Sequence, residues 1–266
     1  MSSKSTIAVI NQKGGVGKTT TVINLAASLS ILGQNNLIID LDPQGNATTG
    51  LGKSNINNNN NIYNLLIKKI KLSEAIQSTE VKNLDVVGSN VNLSGLEVET
   101  ANDSNRAFVL KELLAEEKNL LSKYDNIFID CPPSLSLLTI MALVASDELL
   151  VPLQTEFFAL EGITQLVKTI DRIKDKLNPE LQVRGILLTM FDKRNKLSSQ
   201  VDREARNYFK EKVYLTVIPR NVRLSEAPSH GMPCVVYDKS CLGSQSYLKL
   251  AQEFIRKKNI GGESAA

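Results

Sequence analysis

Lys13-Gly14-Gly15-Val16-Gly17-Lys18-Thr19-Thr20 follows the short apolar run 7–10 and opens a helical pattern over 20–32. Strand, glycine-rich turn and helix start together make a phosphate cradle. Glycines let successive backbone N–H groups curl around phosphate oxygens, and the helix N-terminus adds partial positive charge. In such a loop Lys18 reaches the β- and γ-phosphates and the Thr19 hydroxyl ligates magnesium. A glycine-rich turn beside an incidental lysine would also fit the residues alone, but not the buried strand before it and the helix start after it.

Outward from this loop, β-rich runs at 7–10, 37–40, 84–87, 126–130, 149–152, 183–189 and 215–219 alternate with helical spacing over 20–32, 107–122, 162–177 and 200–210. Most of the runs are nearly continuously apolar, as strands covered on both faces must be. Alternating β and α units predict an α/β fold with a doubly wound, mostly parallel sheet. An amphipathic helix over 244–258 closes the pattern. Residues 1–258 read as one domain and 259–266 as a frayed tail. Six asparagines within 55–61 read as a solvated surface loop, and the polar stretch 91–106 as a long surface segment.

Composition narrows the function classes. Hydrophobic residues make up 42% and charged residues 22% of 266, ordinary for a soluble globular chain. With no Trp, 7 Phe and 6 Tyr, the core must be mainly aliphatic. The net charge of +3 is too small to argue nucleic-acid binding by itself. Cys131, Cys234 and Cys241 form no CxxC pair, and His230 is the single histidine, so a structural zinc site is not expected. The odd cysteine count and the nucleotide loop point to a reducing cytosol. No signal peptide is expected ahead of the first strand, and no window approaches 18 apolar residues.

The loop carries an extra lysine, Lys13, at its start, and in this it resembles the deviant Walker A motif of the ParA/MinD ATPases. The resemblance continues through Asp40-Leu41-Asp42-Pro43-Gln44-Gly45-Asn46 and Phe128-Ile129-Asp130-Cys131-Pro132-Pro133-Ser134. It extends into Val217-Ile218-Pro219-Arg220-Asn221-Val222-Arg223-Leu224-Ser225-Glu226-Ala227-Pro228, which is similar to chromosomal ParA (Soj-type) proteins in particular. It implies a deviant Walker P-loop NTPase fold, a slow, partner-stimulated ATPase activity, ATP and Mg2+ as cofactors, and an ATP-dependent homodimer. Lys13 would contact the partner subunit's nucleotide, Gly14 would permit close backbone approach, and Pro219 and Asn221 would lie against adenine.

Reasoning from position agrees with most of these roles. Asp130 ends an apolar strand facing the loop, where a carboxylate can hold the magnesium water shell. Asp42, just past the second strand, can accept a hydrogen bond from the attacking water, with Asp40 its rival. The cofactor-binding set is then Lys13, Gly14, Gly15, Val16, Gly17, Lys18, Thr19, Thr20, Pro219 and Asn221, and the catalytic set Lys13, Lys18 and Asp42.

Three classes share such a site: a DNA-segregation ATPase, a MinD-like membrane-cycling ATPase for positioning cell division, and a reductase resembling the nitrogenase iron protein. The reductase needs a cysteine pair per subunit for a bridging cluster, and nothing suitable pairs with Cys131. The membrane reading needs a basic amphipathic C-terminal helix, whereas Arg256-Lys257-Lys258 gives way to Gly261-Gly262-Glu263. Basic residues gather late, at Lys193, Arg194, Lys196, Arg203, Arg206, Lys210, Lys212, Arg220 and Arg223. The resemblance turns this cluster toward nonspecific double-stranded DNA, with Arg220 and Arg223 as phosphate contacts. The loop begins too early for a preceding helix-turn-helix domain, so targeting is expected from a ParB (Spo0J-type) partner. The expected location is cytoplasmic and nucleoid-associated.

Overall fold

Apolar side chains alternate between the two faces of each central strand, and this sets the architecture. The computed structural model describes residues 4–54, 59–157 and 159–263. Among these, seven strands form one sheet: β1 (Ser5–Val9), β2 (Asn36–Asp40), β3 (Ile76–Ser78), β4 (Leu84–Val87), β5 (Asn126–Asp130), β6 (Glu148–Gln154) and β7 (Gln182–Thr189). Their order is β3-β4-β2-β5-β1-β6-β7. Every pairing is parallel except that of the edge strand β3 with β4.

Ile7, Val9, Ile38, Phe128 and Leu150 enter one apolar layer, while Ala8, Leu37, Ile39, Ile127 and Ile129 enter the other. Both faces therefore need helical cover. The first layer is closed by α1 (Lys18–Ile31), α2 (Asn46–Gly50) and three late helices described below. The second is closed by α3 (Ile62–Leu66), α4 (Leu72–Ala75), α5 (Leu96–Glu99), α6 (Val109–Glu116), α7 (Lys118–Leu121), α8 (Leu137–Ala145), α9 (Ala159–Lys176) and α10 (Lys196–Phe209). The chain then returns to the first face through α11 (Val222–Glu226), α12 (Cys234–Tyr237) and α13 (Leu242–Glu263).

β5 lies between β1 and β2, in register with both: Asp130 sits opposite Val9 on one side and Asp40 on the other. The loops after these three strands consequently leave the sheet at one level, beside the point where the chain order reverses. Open α/β sheets bind their ligands in that crevice.

The expected doubly wound, mostly parallel sheet is the observed one, with several local differences. Residues 215–219 do not form a strand. Leu215 N–H and Thr216 N–H donate to the Glu253 carboxylate of α13 at 2.7 and 2.9 Å, so two amides that a ladder would need are taken. The segment meets β7 at scattered points rather than along a ladder: Ile218 N–H donates to the Leu188 carbonyl at 2.9 Å, and beyond the strand's end Phe191 N–H donates to the Ile218 carbonyl at 3.0 Å and Phe191 bridges Pro219. The helix expected over 107–122 is two helices, broken at Glu117. β3 and α8 carry no sequence signal of the expected kind. The run in α8, Leu-Leu-Thr-Ile-Met-Ala-Leu-Val-Ala, is apolar all round and almost wholly buried, so it has no 3.6-residue stripe. Within 91–106, Leu93 and Leu96 are buried in the second layer. Where a tail was expected from 259, α13 continues through Glu263, and 264–266 lie outside the described residues. Of the asparagine-rich stretch, 55–58 also lie outside them.

Candidate functional site

The glycine-rich loop runs from the end of β1 to the first turn of α1. Gly15 and Gly17 have φ of 75° and 88°, conformations that side-chain-bearing residues rarely adopt. Gly17 is the N-cap of α1 and leaves the helix's first N–H groups without a side-chain cap. Those donors and the helix dipole are what an anion at this position would meet. A Cβ placed on Gly14 would meet nothing within 4 Å, so nothing inside the subunit demands a glycine there.

Neighbouring strand ends anchor the loop. Asn11 donates to the Pro152 carbonyl of β6 at 2.7 Å and accepts from Lys13 N–H at 3.0 Å. Thr189, the last residue of β7, donates through its hydroxyl to the Val16 carbonyl at 2.9 Å. Lys18 is buried, and its Nζ donates back to the Lys13 carbonyl at 3.3 Å. Burial pushes the Lys18 ammonium below its ordinary pKa, while Asp130, Cys131 and Asp42 oppose that shift. A cation held bent over a glycine-rich cradle among carboxylates is what a polyphosphate site requires.

Three carboxylates converge on this edge. Asp40 is fully buried and accepts from Thr48 N–H at 2.8 Å, Thr48 Oγ1–H at 2.6 Å and Asp42 N–H at 3.2 Å. Burial raises its pKa to about 6, against the pull of those donors. Asp42 is more accessible, at 7% exposure, and accepts from Gln44 N–H at 2.9 Å. Asp130 is wholly buried, and neither carboxylate oxygen has a hydrogen-bond partner among the described residues. Burial, and then the nearby Asp40, push its pKa well up, with Thr19 and Lys18 acting in the opposite sense. Two orphaned, buried carboxylate oxygens beside a threonine hydroxyl are a fitting place for a hydrated divalent cation.

A cavity of about 640 Å³ opens beside the loop, within the range of nucleotide-sized pockets. Gly17, Thr20 and Asn24 line one side, and Met190, Pro219 and Asn221 another. Asn221 caps α11 by accepting from Arg223 N–H at 3.0 Å, which fixes the segment that walls the cavity. The phosphate loop, Pro219 and Asn221 thus belong to one continuous concavity. Lys13, at the start of the loop, is about half-exposed and ion-paired with Glu156 just past β6.

The basic residues do not all stand free. Arg223 pairs with Glu226 at 2.7 Å and with Asp238 at 3.5 Å. Arg206 pairs with Asp202 and donates to the Tyr214 carbonyl, and Arg194 pairs with Asp192. Arg220, Lys193, Lys196, Arg203, Lys210 and Lys212 are exposed. Asn11, Asn24, Thr48 and Thr189 escaped the sequence reading. Each acts on a residue distant in the chain or on backbone, and neither periodicity nor spacing marks such partners.

Residues 4–183 match a family model described as an AAA domain. The chromosome partitioning protein ParA of Caulobacter vibrioides (strain NA1000 / CB15N) is 49% identical over 260 residues, covering 98% of this chain and 97% of that protein. The sporulation initiation inhibitor protein Soj of Bacillus subtilis (strain 168) is 49% identical over 247 residues, covering 93% and 96%. The solved structure of cobyrinic acid a,c-diamide synthase from Mycobacterium smegmatis, with bound ADP and magnesium, is similar at a TM-score of 0.84 and 31% identity over 97% of each chain. The phosphate loop, the carboxylates at the sheet edge and these near-full-length likenesses lead to one conclusion: the chain belongs to the ParA/Soj family of P-loop ATPases.

Proposed function

We propose that this ParA-type ATPase is a nucleotide-driven switch for chromosome or plasmid segregation. The observation that carries the reading is the convergence of Lys18, Asp42 and the orphaned Asp130 at one sheet edge, beside a nucleotide-sized cavity. The relatives named for chromosome partitioning support segregation as the task.

In this reading ATP lies with its base near Pro219 and Asn221 and its phosphates in the loop from Lys13 through Gly14, Gly15, Val16, Gly17, Lys18 and Thr19 to Thr20. Thr19 and, through water, Asp130 would hold Mg2+, which when bound neutralises phosphate charge. Asp42 accepts a hydrogen bond from the attacking water and orients it in line with the γ-phosphate. Lys13 exchanges Glu156 for the nucleotide of a second subunit, adding a cation where charge develops during transfer. The closed homodimer doubles the basic face and binds double-stranded DNA without sequence preference. Arg220 meets phosphate directly, whereas Arg223 must first give up Glu226 and Asp238. A ParB (Spo0J-type) partner stimulates slow hydrolysis, which opens the dimer and releases DNA. The protein would then reside in the cytoplasm, on the nucleoid.

The MinD-like reading has less support. Leu250, Ala251 and Phe254 of α13 are wholly buried against the sheet, so that face is not available to lipid. No helix among the described residues is long and apolar enough to cross a membrane.

Sedimentation of Asp42→Ala with random-sequence duplex DNA or liposomes tests the proposal. With MgATP the variant should form dimers that carry DNA and ignore lipid, and with MgADP it should remain monomeric and free of DNA. Lipid binding without DNA binding would overturn the segregation reading.

A further inference from the structure

Two thiols meet on the face of the sheet that carries α1 and α13. Cys234 opens α12, and Cys241 immediately precedes α13. Their sulfurs lie 3.5 Å apart, and neither is in a disulfide. A disulfide needs sulfurs about 2.05 Å apart, so closure requires roughly 1.5 Å of approach. The seven-position link between them contains the turn at Asp238, whose Oδ1 accepts from Ser240 N–H and Cys241 N–H at 3.0 and 3.1 Å. That turn holds the two sulfurs face to face.

The pair is asymmetric. Cys234 is wholly buried and Cys241 partly exposed. The buried Ser244 hydroxyl donates to Cys234 Sγ at 3.3 Å, and Ser244 N–H donates to Cys241 Sγ at 3.4 Å. The outer sulfur therefore accepts from a backbone N–H in the first turn of a long helix, and its thiol donates to Ser244 Oγ at 3.3 Å, which holds it toward Cys234. Burial pushes the Cys234 thiol up to about 12, so the inner sulfur enters the chemistry as the neutral partner. The third cysteine, Cys131, is buried beside Asp130 and takes no part.

We propose that Cys234 and Cys241 are an oxidation site that closes to an intramolecular disulfide when a hydroperoxide reaches Cys241. The Cys241 sulfur attacks a peroxide oxygen and the O–O bond breaks. The departing oxygen leaves as water or alcohol with the proton of the thiol, and Cys241 becomes a sulfenic acid. The Cys234 sulfur then attacks the Cys241 sulfur, the S–O bond breaks, and hydroxide leaves as water with the Cys234 proton. Two electrons pass from two thiols to one peroxide, and one S–S bond replaces two S–H bonds. Closure competes well with further oxidation because the second thiol is already at contact distance. The site adjoins the nucleotide cavity: Cys234 N–H donates at 2.7 Å to Asn24 Oδ1, and Asn24 lines that cavity.

The test uses the full-length protein treated with graded hydrogen peroxide, denatured in N-ethylmaleimide and mapped by non-reducing peptide mass spectrometry. The expected product is a peptide pair joined through Cys234 and Cys241, two hydrogens lighter, reversed by dithiothreitol, with Cys131 alkylated. Cys241→Ser, which keeps an acceptor at the helix start, should leave Cys234 alkylatable. At matched dose the Cys234 adduct should be about tenfold lower in the natural chain than in that variant. Accumulation of Cys241 sulfinic acid with Cys234 still alkylated, or a link between two copies, would overturn the proposal.

Discussion

At the scale of single residues, Asp40 and Asp42 look interchangeable in sequence, two acids at the end of one strand. The fold separates them through partners that no spacing rule reveals. Thr48 presents both its amide and its hydroxyl to Asp40, and its Oγ1 in turn accepts from Ser89 N–H at 2.9 Å. Asp40 thus holds the post-β2 loop together while Asp42 keeps access to the crevice. Burial of Asp40 carries a pH signature. With a folded pKa near 6 and an unfolded value near 4, folding takes up a proton between those limits. The Asp40 contribution to stability is therefore fully present below about pH 4 and is lost as pH rises through 6. In nucleotide-free protein, the stability advantage of the natural chain over Asp40→Asn should shrink by on the order of 3 kcal/mol between pH 4 and 7. Urea denaturation across that range measures it, and a constant difference would mean that Asp40 is ionised throughout.

At the scale of elements, legibility followed periodicity. The central strands read correctly because both faces are apolar, and α1 because it follows the glycine-rich loop. α8 was invisible because a helix buried all round has no polar stripe to mark its period. Residues 215–219 had the composition of a strand, but the Glu253 side chain, 38 positions from Leu215, competes for its amides. The asparagine-rich stretch also has more structure than a solvated loop at its end. Asn61 is wholly buried, and its side chain accepts from Asn64 N–H at 3.0 Å, capping α3. Asn61→Ala should cost about 1 kcal/mol in equilibrium unfolding, whereas Asn61→Asp, which keeps the acceptor, should cost less. Equal losses would show that the cap contributes little.

At the scale of the whole molecule, the site is an assembly of strand ends and loops widely separated in sequence. The phosphate loop was readable alone, whereas the cavity walls at Met190 and Asn24 depend on how β7, α1 and the late helices come together. If nucleotide bridges these parts, MgADP at about 100 times its Kd should stabilise the protein by about 2.7 kcal/mol against urea. Lys18→Ala should erase that gain, and an undiminished gain would remove Lys18 from phosphate binding. The strand order also has a consequence during synthesis. β1 and β2 are made early yet do not pair, because β5 lies between them. A nascent chain carrying the finished phosphate loop must wait for residues 126–130 to fill that gap, and for 219–224 to wall the cavity. Until then the emerging polypeptide has no complete nucleotide pocket and cannot be rescued by its own ligand. Stabilisation by bound nucleotide is therefore open only to a nearly completed chain.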